Sequence, residues 1–144
     1  MTDANDHRLR VLPPAEVNSS WPQIAELLKP AIKFCNGEFE ADDLLAMVNE
    51  GRAFVMALEQ AGVIRLASVC EVLVFPKKKV LNVIAVAGSR LDVALLVFWE
   101  KIEDVARTLE VDSIRGAVRP AMQRYYRRIA PEATIAYAIL ERKI

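Results

Sequence analysis

Between a β-branched apolar stretch (residues 80–87) and a long amphipathic pattern (residues 91–109) lies the run Gly88-Ser89-Arg90. A strand that passes through so tight a turn into a helix leaves backbone N–H groups free at the helix start, and such a place attracts anions. Arg90 adds a charge-assisted donor suited to phosphate, although a solvated first-turn arginine fits the same position. Three other residues offer polar chemistry near this unit. Glu71 is the carboxylate closest to the central strand, Asn82 is the polar residue within it, and Tyr126 is one of two adjacent phenols further on. Each also has an ordinary reading, as a solvated strand residue or a helix packing residue. The single histidine, His7, falls in a polar leader, which removes His-based triads and most zinc sites, so no metal is expected. Cys35 and Cys70 lie far apart without a CxxC pattern, as expected of reduced thiols in a cytoplasmic protein.

The elements that must position these groups follow from pattern. The chain has 144 residues, 53% hydrophobic and 26% charged, enough for one domain with a real core. Nineteen basic and 19 acidic residues leave no global field to favour nucleic acid or an anionic membrane. No apolar run approaches the length of a membrane span, and the leader lacks an apolar signal segment.

Residues 1–7 read as a loose leader, and residues 8–12 as a short edge strand stopped by Pro13-Pro14. Asn18, Ser19 or Ser20 can cap a helix from Trp21-Pro22, with Pro30 placed to kink or end it and Cys35-Asn36-Gly37 marking the exit. A second helix spans residues 41–49, with Asp42 and Asp43 favoured in its first turn. Residues 53–59 and 63–75 are two β runs around a Gly-containing turn, and Lys77-Lys78-Lys79 reads as a solvated hairpin tip.

Residues 80–87 are apolar almost throughout, as in a strand buried on both faces. Leu91, Leu95, Phe98, Ile102, Val105 and Leu109 recur at helical spacing, and Glu103 with Arg107 forms an i,i+4 pair on another face. Trp99 cannot share the sheet-facing side with Phe98; it packs under the N-terminal helices or marks an interface. Residues 113–118 read as a strand, residues 119–130 as a helix, and residues 134–140 (TIAYAIL) as a final strand. The order is β-α-α-β-β-β-α-β-α-β: a mixed, mostly antiparallel α/β sheet flanked by helices, in a single domain over residues 1–144.

That order resembles the GNAT N-acetyltransferase superfamily over most of the chain. The three-strand meander of residues 53–86 follows two helices, residues 80–109 look like the acetyl-CoA-binding strand, turn and helix, and residues 114–131 look like the next strand and a Tyr-bearing helix. The patterns FPKKKVLNVI and W..IED.AR.L..D.I more narrowly resemble small GNAT-like proteins of tailed phages. The family's pyrophosphate turn is Q/R-x-x-G-x-G/A; here Val86-Ala87-Gly88-Ser89-Arg90-Leu91 keeps one glycine. Ala130 and Pro131 stand where the family has a glycine and an aromatic.

The resemblance implies that Ile84, Val86, Ala87, Gly88, Ser89 and Arg90 hold acetyl-CoA or CoA. It also implies that Tyr126 serves as acid, Glu71 as base, and Asn82 as a positioning group, with an amine as acceptor. A second reading is a non-catalytic GNAT-fold protein that docks on a host or virion protein, which suits the single-glycine turn and the apolar surplus at residues 95–99. A homodimer is left open, and fold does not choose between the readings.

Overall fold

The computed structural model describes residues 6–89 and 91–144, with Leu91 and Asp92 described by backbone only. The chain runs β1 (His7–Leu12), α1 (Pro14–Ser19), α2 (Trp21–Lys33), α3 (Ala41–Asn49), β2 (Phe54–Gln60), β3 (Val63–Val74), β4 (Lys79–Gly88), α4 (Leu91–Thr108), β5 (Ser113–Gly116) and α5 (Pro120–Ile129). The strands form one five-stranded sheet in the order β1-β2-β3-β4-β5. Its first three pairings are antiparallel and the β4–β5 pairing is parallel. A parallel neighbour needs a crossover, which α4 supplies.

Helices cover both faces, so the central strands are apolar on both sides. On one face Val17, Ile24, Leu28, Leu44 and Val48 from α1–α3 bury against Val55, Ala57, Ala67, Val69 and Ala85. The small sheet residues there let α2 approach closely. On the other face Leu95, Phe98 and Ile102 of α4 bury against Met56, Leu58, Leu66, Cys70, Leu81 and Val83. Each fully buried aliphatic or aromatic side chain contributes about 1.5–3 kcal/mol. The long β4 therefore stays fixed without a polar ladder of its own side chains.

Most predicted elements stand with small shifts of boundary. Pro30 neither ends nor breaks α2, because it sits on the exposed side, where the carbonyl it leaves unpaired meets water. The exit is sharp, with Asn36 at φ 62° and Gly37 at φ 72°. Glu40 and Asp43 form a reciprocal capping box that starts α3. Lys77 and Lys78 are exposed as expected, but Lys79 is not a free tip: its Nζ donates to the Leu109 carbonyl at 2.8 Å and its N–H to Asp112 Oδ2 at 2.9 Å. It thereby ties the end of α4 to the start of β4.

Three expectations are corrected. His7 does not belong to a loose leader; it opens β1, pairs with Gln60 and is only 6% exposed. Residues 14–19, expected only to hold a cap, form the short helix α1. Residues 134–140 are not a strand. Ile135, Tyr137 and Ile139 stand 62%, 61% and 81% exposed. Alternation makes a strand only where a neighbour accepts the ladder; β5 is an edge strand of four residues, and residues 134–140 do not pair with it. The tail instead lies across the α2 face: Tyr137 stacks on Arg115 at 5.7 Å, and Asn36 Nδ2 donates to Glu141 Oε2 at 2.9 Å.

Gly88 closes β4 where strand β3 leaves no room. A Cβ there would fall 3.0 Å from Leu66 Cβ and closer still to the Arg65 carbonyl oxygen. The glycine is thus required by the sheet before any ligand is considered. Gly88→Ala is expected to lower the unfolding free energy by about 1–3 kcal/mol, as overpacking does, in urea denaturation. A change within a few tenths of a kcal/mol would show that the strand end gives way freely.

Candidate active site

Strand β4 is bonded unequally on its two sides. Toward β3 it pairs from Lys79 to Gly88. Toward β5 it pairs only from Val80↔Ser113 to Val83↔Gly116. Beyond Val83 its β5-facing edge has no strand partner among the described residues. At the same point the ladder to β3 slips: Cys70 faces Val83 and Val69 faces Ala85, so Ile84 is an extra residue. Such a bulge turns backbone groups out of the ladder, where they can reach a ligand.

Directly opposite residues on neighbouring strands project from the same face. Glu71↔Asn82 and Asn82↔Arg115 therefore form one polar row across β3, β4 and β5. Asn82 Nδ2 donates to Glu71 Oε2 at 2.9 Å, and both residues are half-buried. The row lies on the α2 face, since Leu81 and Val83, its sequence neighbours, pack toward α4. Arg115 is half-buried, with its guanidinium 5.2 Å from the Phe75 ring and 5.7 Å from that of Tyr137. Arg119 lies 3.7 Å over the Phe34 ring, at the end of α2. The α2–α3 loop and the tail thus border the row.

Tyr126 packs on the opposite face of the sheet. Tyr125, Tyr126 and Ile129 turn the apolar side of α5 to the α4 cluster that includes Val83. The Tyr126 ring meets Trp99 edge-on at 6.0 Å and 85°. Burial pushes the Tyr126 phenol up from its ordinary value, partly offset by the nearby Trp99 indole, so it stays a proton donor at neutral pH. Trp99 accordingly packs against α5 and Phe98, not under the N-terminal helices. Val93 and Leu96, at 38% and 40%, are the exposed large apolar residues of α4.

The residues proposed for the cofactor line the upper part of β4 and its turn. Ile84 is the bulged residue, Val86 is half-buried toward α4, and Ala87 is buried. The Ser89 N–H is already used, donating to the Arg65 carbonyl at 3.0 Å. Arg90 lies outside the described residues. Glu71 and Asn82 are brought together, and Tyr126 stands across the sheet from them.

Sequence reading finds neither Arg65 nor the row that Arg115, one of several arginines giving the C-terminal third a basic bias, completes. Arg65 lies beside the turn, and its Nε is buried without a hydrogen-bond partner. Arg115 completes the polar row; its place depends on the β4–β5 register, which no local pattern reveals. Cys70, by contrast, is fully buried and its thiol is pushed up to about 12, chiefly by burial. That leaves it inert as a nucleophile.

Cys70 and Tyr126 are both raised, so the folded state holds their protons longer than the unfolded chain does. The resulting stability is complete below the ordinary values of 9.0 and 10.0 and falls as pH rises through them. The thermal midpoint is expected to stay level from neutrality to about pH 8.5 and then decline, less steeply in Tyr126→Phe. An unchanged alkaline slope in Tyr126→Phe would contradict the burial assigned to the phenol.

No protein-family model and no curated protein sequence matches the chain. Solved structures do. An aminoglycoside acetyltransferase from an uncultured soil metagenomic sample, in complex with sisomicin, superposes with TM-score 0.72 at 11% identity, covering 97% of each chain. A possible acetyltransferase from Clostridium difficile 630 gives 0.69 at 11% identity over 96% of this chain and 97% of that one. A predicted acetyltransferase from Clostridium acetobutylicum, solved with acetyl-CoA, gives 0.65 at 10% identity over 94% and 96%. At these identities the likeness is one of fold, and by it the chain has the GNAT acetyltransferase fold.

Proposed function

We propose that the protein is an acetyl-CoA-dependent N-acetyltransferase. The observation that carries this reading is the unpaired edge of β4 past Val83, with the Glu71–Asn82 pair on one face and Tyr126 on the other. Similarity to structures described as acetyltransferases, one of them solved with acetyl-CoA, agrees with it.

Bound acetyl-CoA supplies an acetyl group activated as a thioester. The residues present suit it. The orphaned Arg65 Nε beside the turn is an unspent donor for a phosphate, and Arg90 would add a second. Backbone groups at the Ile84 bulge offer a donor for the thioester carbonyl. Glu71 accepts the proton of the incoming amine, with Asn82 holding the carboxylate in place. A C–N bond forms as the C–S bond breaks, and the Tyr126 phenol gives its proton to the departing sulfur. Acid and base thus act from opposite faces of one gap.

Calorimetric titration with acetyl-CoA tests the cofactor half of this reading. Micromolar binding is expected, weakened about tenfold in Arg65→Ala, or about 1.4 kcal/mol. Absence of heat and of any thermal shift at millimolar acetyl-CoA would overturn it.

A further inference from the structure

Arg115 lies in the row of the Glu71–Asn82 pair, and Arg119 follows four residues later on the same segment. No ion pair among the described residues includes either one. Both are instead oriented by rings: Arg115 by Phe75 and Tyr137, Arg119 by Phe34. A stack on an aromatic face fixes a guanidinium's direction. It leaves the N–H fork free to take a carboxylate or phosphate in bidentate fashion.

Arg115 sits two strands from Glu71 in the same row, so their backbones are about 10 Å apart. Acids are close by, but Glu71 is engaged by Asn82 and Glu141 by Asn36. Phe75 and Tyr137, at 43% and 61% exposed, put accessible apolar surface beside the Arg115 guanidinium.

We propose that this row is an acceptor site for a small amine that carries an anionic group. The ammonium end lies at Glu71, and the carboxylate or phosphate lies at the Arg115 guanidinium. The proposal rests on the acetyltransferase reading for its chemistry, but the anion site exists independently of acetyl-CoA. A polycationic amine would meet the unpaired Arg115 guanidinium here and be repelled.

The test therefore begins without cofactor. Titration of the protein with L-glutamate, O-phosphoethanolamine and spermidine is expected to show saturable binding of one or both anionic amines and none of spermidine. Glutamate against O-phosphoethanolamine decides between carboxylate and phosphate. Arg115→Ala is expected to weaken the preferred ligand at least tenfold, and Arg115→Lys less, with the circular dichroism spectrum unchanged. If acetyl transfer is then detected, Arg115→Ala should raise KM for the acceptor while leaving kcat nearly level. Binding of spermidine in preference, no binding of either anionic amine at millimolar concentration, or binding indifferent to Arg115 would each overturn the proposal. Anionic-amine binding without acetyl-CoA binding would uphold it and refute the acetyltransferase reading alone.

Discussion

The structure depends on how β4 is held. One side is bonded to β3 along its whole length, while the other pairs, among the described residues, with four residues of β5. A strand with an unpaired edge inside a sheet exposes N–H and C=O groups that must find partners. Here the shortfall falls beside a bulge at Ile84, with packed helices on both faces to keep the strand from moving. The result is a firmly packed strand with an open edge past Val83, and rigidity of this kind is what a positioned active site needs.

From that opening the two faces take different characters. The α4 face is apolar, and on it a half-buried phenol packs edge-on against an indole. The α2 face carries the polar row of Glu71, Asn82 and Arg115, bordered by a loop and a tail that bring aromatic rings to the arginines. Gly88 shows how far the architecture itself dictates residues near the site. Its lack of a side chain is required by the backbone of β3, so a glycine there is weak support for phosphate binding. Arg65, with an orphaned buried nitrogen, is the stronger pointer.

Much of the fold was legible because period and length agreed. The all-apolar run of β4 and the 3.6-residue recurrence in α4 left few alternatives, and the Glu103–Arg107 pair forms at 3.2 Å. What failed was what depends on a distant neighbour. His7 is buried because it pairs with Gln60, and nothing local to a polar leader signals that. Residues 134–140 have a strand's alternation but no ladder to join. Trp99 finds its place through α5, across the α4 face from where the N-terminal helices pack. The candidate site was half legible: Glu71, Asn82 and Tyr126 are identifiable by type and element, but their row and their opposite faces come from register, which a bulge shifts by one residue.

The most direct test of the central claim is an amide chemical-shift titration of the isotope-labelled protein with CoA. If β4 carries the cofactor along its open edge, the amides of Ile84, Ala85 and Ser89 move together and saturate, while those of β1 remain still. Shifts confined to surfaces away from β4, or none at saturating CoA, would contradict the account.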